Sequence, residues 1–433
     1  MTTAAQLDAD VLVLGAGAAG LACAAALRRA GTRALVLEAR QRVGGRVWTD
    51  RTLAPHPVEF GAEFVHGERA STWPALRALG LATAHWPKRD ESLVHAEPGG
   101  PLTGWVGMAT LRAVDATLDR TRALDLGAVP AHPFEDLDAY LARVGYDERA
   151  RRYVRRSFAN ASGEAPERLS ARSVLAALAD DRDGEHDHRV LGGYDRLIAG
   201  LTPGLEVRLG QVVRHVGSDA AGAVVGLADG TLLRAHAAVV TLPVGVLRGG
   251  GVEFAPEVMR RKRPALRGLS MGPVIKLVYR LVEPPVDDPA VAALYAAGPV
   301  PMWWSPSAGR ADASERSANV WTGFVSGPNA AELLRWPAEA ALERALAQLA
   351  GEVGRPLRAT AARLVDWPGD PFARGGYSAV LAAHHGARQA LAAPTPPVFW
   401  AGEATAREAA AATVHGAWES GERAAGEVLA LLA

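Results

Sequence analysis

DVLVLGAGAAGLACAAALRRAGTRALVLEARQRVGGRVWT, residues 10–49, is the stretch whose reading decides the fold. Residues 11–14 form a short, wholly apolar run, the pattern of a strand buried on both faces of a parallel sheet. Gly15, Gly17 and Gly20 follow in a G-x-G-x-x-G spacing. The first glycine permits a tight turn, the second lets backbone approach a pyrophosphate, and the third lets helix pack on strand. A helix over residues 18–30, stopped by Gly31, then turns the N-terminal amides around Ala18 and Ala19, with their partial positive charge, towards that diphosphate. Residues 33–37 make a second strand. Glu38 at its end, with Ala39 and Arg40 beside it, is placed to accept hydrogen bonds from an adenosine ribose, and an acidic residue there favours an unphosphorylated one. The glycine spacing alone is weak, because small-residue turns are common. Strand, glycines, helix, second strand and terminal carboxylate in one register make a dinucleotide-binding βαβ unit.

Composition narrows the class. At 433 residues, 49% of them apolar, the chain exceeds what one hydrophobic core supports, so two domains are expected. Lys plus Arg and Asp plus Glu both number 47, so no net field draws the protein to nucleic acid or an anionic membrane. The single cysteine, Cys23, sits among alanines in the first helix and reads as a small core residue, and a disulfide framework is excluded. The start, MTTAAQLDAD, lacks the basic and apolar regions of a leader, no run reaches the length of a membrane span, and the last residues simply complete a helix. The expectation is a soluble cytoplasmic protein.

Just past Glu38, Gly44-Gly45-Arg46 makes a tight turn that can deliver an arginine to a pyrophosphate as a charge-assisted clamp. The run EARQRVGGR resembles the flavoprotein family that includes the amine oxidases and carotenoid desaturases, and the resemblance implies FAD. VEFGAEFVHG, residues 58–67, is similar to a G-A-x-W-x-H-G stretch of polyamine oxidases. That similarity implies that Gly61, Ala62, Glu63 and Phe64 run beside the flavin while His66 faces the substrate. Read without it, His66 is a hydrogen-bonded structural histidine. Strand alternation puts Glu63 and His66 on opposite faces, so replacing Glu63 is expected to do little. In the family pattern, VLGGY (residues 190–194) opens a second part of the flavin domain, Val213 packs on the adenine, Thr241 ends a buried strand, and LPVGVL (242–247) crosses back.

Three later stretches extend the resemblance. GLSMGPVIKLVYR, residues 268–280, is apolar on both faces around one lysine, which is costly unless that lysine has a partner or a role. It resembles the family strand whose lysine holds a water against flavin N5, so Lys276 is assigned that role. DWPGDPFARGGYS, residues 366–378, resembles a W-x-x-D-P-x-x-x-G-x-Y-S element, implying that Trp367 and Tyr377 flank the flavin. FWAGEAT (399–405) followed by ATVHGAWESGERAA (412–425) looks like the C-terminal flavin-binding element of polyamine oxidases and histone lysine demethylases. It implicates Gly402, Glu403, Thr413 and Val414. A helix starting near Thr413 would aim its free amides at the flavin pyrimidine edge, where negative charge collects on reduction.

Between these motifs, residues 71–173 read as helical scaffold, with amphipathic pieces at 111–123 and 134–144. The arginines of 149–156 read as a solvated, ion-paired face. DDRDGEHDH, residues 180–188, reads as an exposed charged loop and not as a metal site. Residues 205–209, 212–216 and 223–227 read as an antiparallel meander closed by Asp229-Gly230.

The resemblance implies an α/β fold: an FAD-binding Rossmann-like domain of the glutathione-reductase / p-hydroxybenzoate-hydroxylase type, interleaved with an α+β substrate-binding domain. The flavin domain would comprise residues 1–70, 189–252 and 398–433, and the substrate domain 71–188 and 253–397. It implies an amine oxidase with non-covalent FAD, since Gly376 stands where cysteine-linked relatives carry their cysteine. A neutral amine would give a hydride from its α-carbon to flavin N5 and leave as an iminium that water hydrolyses, and O2 would become H2O2. Gly61-Ala62-Glu63-Phe64 lacks the arginine that amino-acid oxidases place there, and Thr413 replaces the second tyrosine of monoamine oxidases, giving a one-sided cage as in demethylases and some polyamine oxidases; a demethylase is weakened by the lack of an inserted tower or reader domain, so the resemblance favours a polyamine or related amine. The alternatives are an FAD-dependent desaturase or isomerase of an isoprenoid and a non-catalytic flavin-binding protein; the T-V-H-G-A element argues against the first.

Overall fold

In a computed structural model that describes residues 7–86, 92–96, 104–107, 129–308 and 319–433, the opening stretch folds as β1 (Val11–Leu14), α1 (Ala18–Arg29) and β2 (Ala34–Leu37). β1 and β2 are the middle of a five-stranded sheet in the order Glu206–Arg208, β2, β1, Ala237–Val240, Val398–Trp400, and every pairing is parallel. The uninterrupted apolar runs follow from that position. Leu12, Leu14, Leu35 and Leu37 point into one core, while Val11, Val13 and Val36 point into the core on the other face. All four residues of β1 are inaccessible to solvent, and burying a side chain of this size stabilises by about 1.5–3 kcal/mol.

Glycines set the closest approaches. Gly15 adopts φ +113°, and a Cβ on Gly20 would lie 1.9 Å from the Gly15 carbonyl oxygen, so only glycine lets α1 leave the strand this tightly. The last helix, Val414–Leu432, packs along α1, where a Cβ on Gly421 would lie 2.1 Å from the Ala19 oxygen. Cys23 is fully buried there as expected.

A seven-stranded sheet makes the other large layer, in the order Ala359–Asp366, Val274–Leu281, Val320–Ser326, Met302–Trp304, Ala293–Tyr295, Ser92–Ala96, Gly104–Gly107. Its Val274–Leu281 strand pairs antiparallel with both neighbours, and Lys276 stands in register with Phe324 and Val365.

Several sequence expectations are corrected. Residues 71–173 are not all helical: Thr83–His85, Ser92–Ala96 and Gly104–Gly107 are strands. Their β content was hidden because polar and small residues interrupt the alternation. The helix expected at 134–144 is present as Leu137–Arg143, and the one at 111–123 lies outside the described residues. Glu206–Arg208 does not join the meander. It extends the parallel sheet beside β2, and the meander consists of Val213–Asp219, Gly222–Leu227 and Leu232–Ala235. Nor is 180–188 wholly a loop, because Asp187–Val190 is the central strand between Phe64–His66 and Thr83–His85. The arginine face does hold: on the helix Glu148–Ser162, Arg155 pairs with Glu148 at 2.8 Å and with Glu167 at 2.7 Å.

Candidate active site

A cavity of about 1300 Å³ begins at the glycine turn and reaches the seven-stranded sheet. That exceeds the roughly 300–1,000 Å³ of an ordinary small-molecule pocket, leaving room for a dinucleotide and a second, smaller molecule. Its wall includes every candidate catalytic or cofactor-binding residue named from the sequence except Gly20. Gly20 serves the packing of helix on strand, because the space a Cβ would need is taken by the Gly15 carbonyl.

At the βαβ end the wall is mostly backbone. A Cβ on Gly17 would meet nothing nearer than 4.0 Å, so the side chain it lacks leaves space to the cavity and not to the protein. Ala18 and Ala19 line the wall in the first turn of α1, where helix amides have no intrahelical acceptor. Glu38 accepts from the amides of Ala16 and Arg40, each at 2.9 Å, which fixes its carboxylate with lone pairs to spare. Thr241 Oγ1 donates to the Leu14 carbonyl at 2.8 Å and ties the Ala237–Val240 strand to the turn. Ala39, Arg40, Gly44, Gly45 and Val213 complete this end.

Arg46 lies farther along. Its guanidinium bonds the Gly376 carbonyl at 2.6 Å and Glu403 at 3.0 Å. Glu403 also accepts from Ser378 Oγ at 2.7 Å and from the Ala412 amide at 3.2 Å, and Arg388 donates to the Ser378 oxygen at 2.7 Å. Burial pushes the Glu403 carboxyl up, but Arg46 and Arg388 with these hydrogen bonds outweigh it, so it stays ionised below the usual carboxylate range. Beside this group Thr413 caps the helix Val414–Leu432 by accepting the Gly416 amide at 3.0 Å. The cap brings Thr413, Val414 and Gly402 to the wall.

At the sheet end the wall is made of side chains. Lys276 is buried, and its Nζ donates to the Glu59 carbonyl at 2.8 Å and to the Glu63 carboxylate at 2.9 Å. An ammonium has three N–H groups. Two are thus accounted for, and the residue also lines the cavity. Arg189 meets the other Glu63 oxygen at 2.9 Å and stacks on Trp86 at 3.8 Å. Trp304 Nε1 adds a donor to Glu63 at 3.0 Å. Burial raises the Glu63 carboxyl, yet Lys276 and Arg189 together hold it below its ordinary value. At neighbouring Glu59 Lys276 bonds only the backbone carbonyl, and burial pushes the carboxyl up to about 8 although it accepts from the Tyr194 amide and Thr49 and feels the lysine's charge.

The expectation that Glu63 and His66 face opposite ways is corrected here. The strand is only Phe64–His66, so alternation does not reach Glu63, and both residues line the cavity. Glu63 is the counter-ion of the strand lysine and not a bystander. His66 is half exposed with Nδ1 2.7 Å from Asp187. Gly61 fits only as glycine, because a Cβ would lie 1.9 Å from the Arg46 oxygen; Ala62 and Phe64 follow it on the wall. Trp367 donates to the Phe60 carbonyl at 3.2 Å, and Tyr377 to the Asn160 carbonyl at 3.2 Å. Burial pushes the Tyr377 phenol up to about 12, so it is neutral at ordinary pH.

Sequence reasoning missed Arg189, Asp187, Trp304 and Phe324. Arg189 and Asp187 sit inside a run that looks like solvated charge. For Trp304 and Phe324 the signal available was an aromatic in a short apolar run, which says buried but not where. Among the described residues no His, Cys, Asp and Glu group is fit to hold a metal ion, and no helix is long and apolar enough to cross a membrane.

The parallel sheet, the glycine turn with empty space at Gly17, the fixed Glu38 and the amide-rich helix ends define a dinucleotide-binding flavoprotein. Residues 18–429 match the family described as flavin containing amine oxidoreductase, and the chain belongs to that family. It is 28% identical over 448 residues to polyamine oxidase 4 of Oryza sativa subsp. japonica, covering 96% of this chain and 88% of that one. It is 29% identical over 464 residues to lysine-specific histone demethylase 1 homolog 2 of the same organism, covering 98% of this chain but 57% of that one. Among solved structures, a triple mutant of putrescine oxidase aligns at TM-score 0.81 and 25% identity, covering 98% of this chain and 99% of that one. Cyclohexylamine oxidase from Brevibacterium oxydans IH-35A shares the fold at TM-score 0.77 and 21% identity, over 98% and 99% of the two chains. The protein is a flavin-dependent amine oxidoreductase, and its cofactor is FAD.

Proposed function

We propose that the chain is an FAD-dependent oxidase of a polyamine or related amine, with O2 as the final acceptor. The observation that carries this reading is the joining, in one cavity, of the backbone-lined dinucleotide end to Lys276 and Tyr377. FAD, when bound, supplies the acceptor for a hydride from the amine α-carbon, at N5, and returns the electrons to O2 as H2O2. The chain's own part is binding and electrostatics. The turn at Gly15 and Gly17, with α1, would hold the diphosphate of a bound FAD, Glu38 its ribose and Arg46 its pyrophosphate, and the free amides at Thr413 and Val414 would supply donors to its isoalloxazine. Lys276, held by Glu63, keeps an N–H available at the reacting end, where the lysine of the family pattern holds water. His66 with Asp187 is placed to take part in setting the ionisation of an arriving amine. Trp367 and Tyr377 would flank the flavin face, and with Thr413 where monoamine oxidases carry a second tyrosine the amine cage would be one-sided. The family pattern implies a flavin held without a covalent link, because Gly376 stands where cysteine-linked relatives carry their cysteine and Cys23 is not on the cavity wall.

Residues 1–70, 189–252 and 398–433 are read as the flavin domain, and 71–188 and 253–397 as the substrate domain. The five strands of the parallel sheet, all drawn from the first set, support the division.

Anaerobic mixing of the purified yellow protein with amines, and with carotenoids as controls, tests the reading. Bleaching by an amine, followed on aeration by colour return and peroxide, supports it. Bleaching by carotenoids alone favours an isoprenoid desaturase, and no bleaching favours a non-catalytic flavoprotein. Acid precipitation should release the flavin, and a pellet that stays yellow would contradict non-covalent binding.

A further inference from the structure

Resting on the amine-oxidase reading, with Lys276 as the lysine at its reacting end, we propose that Trp304 is a positioning residue for Lys276. It acts through Glu63, by holding that carboxylate in place between the lysine and Arg189. Lys276 and Trp304 stand on either side of the Val320–Ser326 strand in the seven-stranded sheet, so ladder register fixes where both side chains start. Glu63 comes from outside that sheet, one residue before the strand Phe64–His66. Its carboxylate is therefore aimed by its side-chain partners and not by the register that sets the other two.

The indole N–H meets the two Glu63 oxygens almost equally, at 3.1 and 3.0 Å. One oxygen also meets Lys276 at 2.9 Å and the other meets Arg189 at 2.9 Å. A carboxylate has about four acceptor sites, so a donor shared between its oxygens leaves room for one cation on each. Without that donor, the two cations pull the group from opposite sides, and a slide towards Arg189 lengthens the lysine contact. Trp304 itself has little freedom. It is buried, its ring lies 5.8 Å from Phe64 and 5.4 Å from Phe324, and Arg189 donates to the carbonyl of the next residue, Ser305, at 2.8 Å. The face of the same ring is 5.3 Å from Lys276 Nζ, so the indole touches the anion by its N–H and the cation by its face. The ring also lines the cavity. Any large apolar ring would serve as wall there; the N–H is the part that a wall does not need, and it is the part that reaches Glu63. Lys276 spends its bonds on the Glu59 carbonyl and on Glu63, so where Glu63 sits decides how the rest of the ammonium faces the cavity.

The test uses the FAD-loaded protein in a double-mutant cycle. Trp304 is replaced site-specifically by 3-benzothienylalanine, in which sulfur stands for the indole N–H at nearly the same shape, and separately by Trp304→Phe; each change is made in the parent and in Lys276→Met. Flavin reduction by whichever of putrescine, spermidine or benzylamine bleaches the parent fastest, and reoxidation by O2, are followed by stopped flow. In the parent background, loss of the N–H should slow the half-reaction that depends on Lys276 by about 10-fold, with the apparent Kd for the amine within about 2-fold. In Lys276→Met the same replacement should change that rate by less than about 2-fold, because the group being positioned is gone. Equal slowing in both backgrounds, or an effect confined to Kd, would make Trp304 a wall residue only and overturn the inference while leaving the oxidase reading in place. So would an unchanged rate in the parent background. Loss of FAD in the isosteric form would mean that the N–H serves the fold, and would overturn it equally. Failure of every amine to bleach the parent overturns the oxidase reading and the inference with it.

Discussion

The two ends of the cavity are built from different materials. At the dinucleotide end, recognition rests on backbone: missing Cβ atoms at Gly15 and Gly17, free amides of α1, and one carboxylate pinned by the amides of Ala16 and Arg40. At the sheet end it rests on side chains brought from distant strands, with Lys276 213 positions from Glu63 and 217 from the Glu59 carbonyl that it also bonds. The first design fails when an atom is added and the second when a charge is removed.

The sharpest way to break that contrast is Glu63→Gln. It leaves Lys276 and Arg189 buried without their shared anion, and breaking a buried ion cluster from one side costs about 3–5 kcal/mol. Denaturant titration should show that loss, and Lys276→Met combined with Glu63→Gln should recover part of it. Lys276→Met alone keeps Glu63 paired to Arg189, so FAD content should hold while flavin reduction or reoxidation slows by about 100-fold. Unchanged stopped-flow rates in both half-reactions would make the lysine purely structural.

At the other end, a pair of alanines separates packing from binding. Gly20→Ala drives a Cβ to 1.9 Å from the Gly15 oxygen and should cost about 1–3 kcal/mol of stability. In Gly17→Ala the nearest protein atom is 4.0 Å away, so the apoprotein should melt close to the parent while FAD retention falls. Equal melting of the two apoproteins would contradict the division between them.

Two smaller effects follow titratable groups. Glu59 stays protonated in the fold up to about 8 against an ordinary 4.5. The native state therefore binds the extra proton, so this group lowers stability as pH rises from 4.5 to about 8, with no further change above. Glu59→Gln should flatten that part of the melting-temperature profile, and an identical slope in parent and variant would refute it. His66→Ala, at a half-exposed site, should weaken amine binding or move the pH dependence of flavin reduction modestly. A superimposable pH titration would reduce His66 to a structural partner of Asp187.

Legibility in the sequence followed the same division. The βαβ unit could be read because its determinants are local: Gly15, Gly17, Gly20 and Glu38 do their work within one short stretch, and backbone geometry imposes their spacing. Lys276 could be noticed, since a charge in an apolar strand demands a partner, but nothing local names Glu63 or Arg189 as that partner. The alternation rule misplaced Glu63 because the strand starts one residue later, at Phe64. Residues 205–209 were drawn to the wrong sheet since a short strand beside β2 and a meander strand share the same pattern, and only tertiary pairing separates them. The family resemblance supplied the order of the motifs. The aromatic wall of Trp304 and Phe324 lay outside every motif.

The parallel sheet also sets a timetable. β1 is synthesised long before its neighbour Ala237–Val240, and longer still before Val398–Trp400 and the helix that covers α1. Until residue 240 is made the glycine turn has strands on one side only, and until the last helix is made the α1 face at Ala19 is bare, so the nascent chain holds an exposed apolar surface over a long span of translation. Cofactor capture is therefore a closing event, and a ribosome stalled before residue 398 would carry a chain that no supply of FAD could complete.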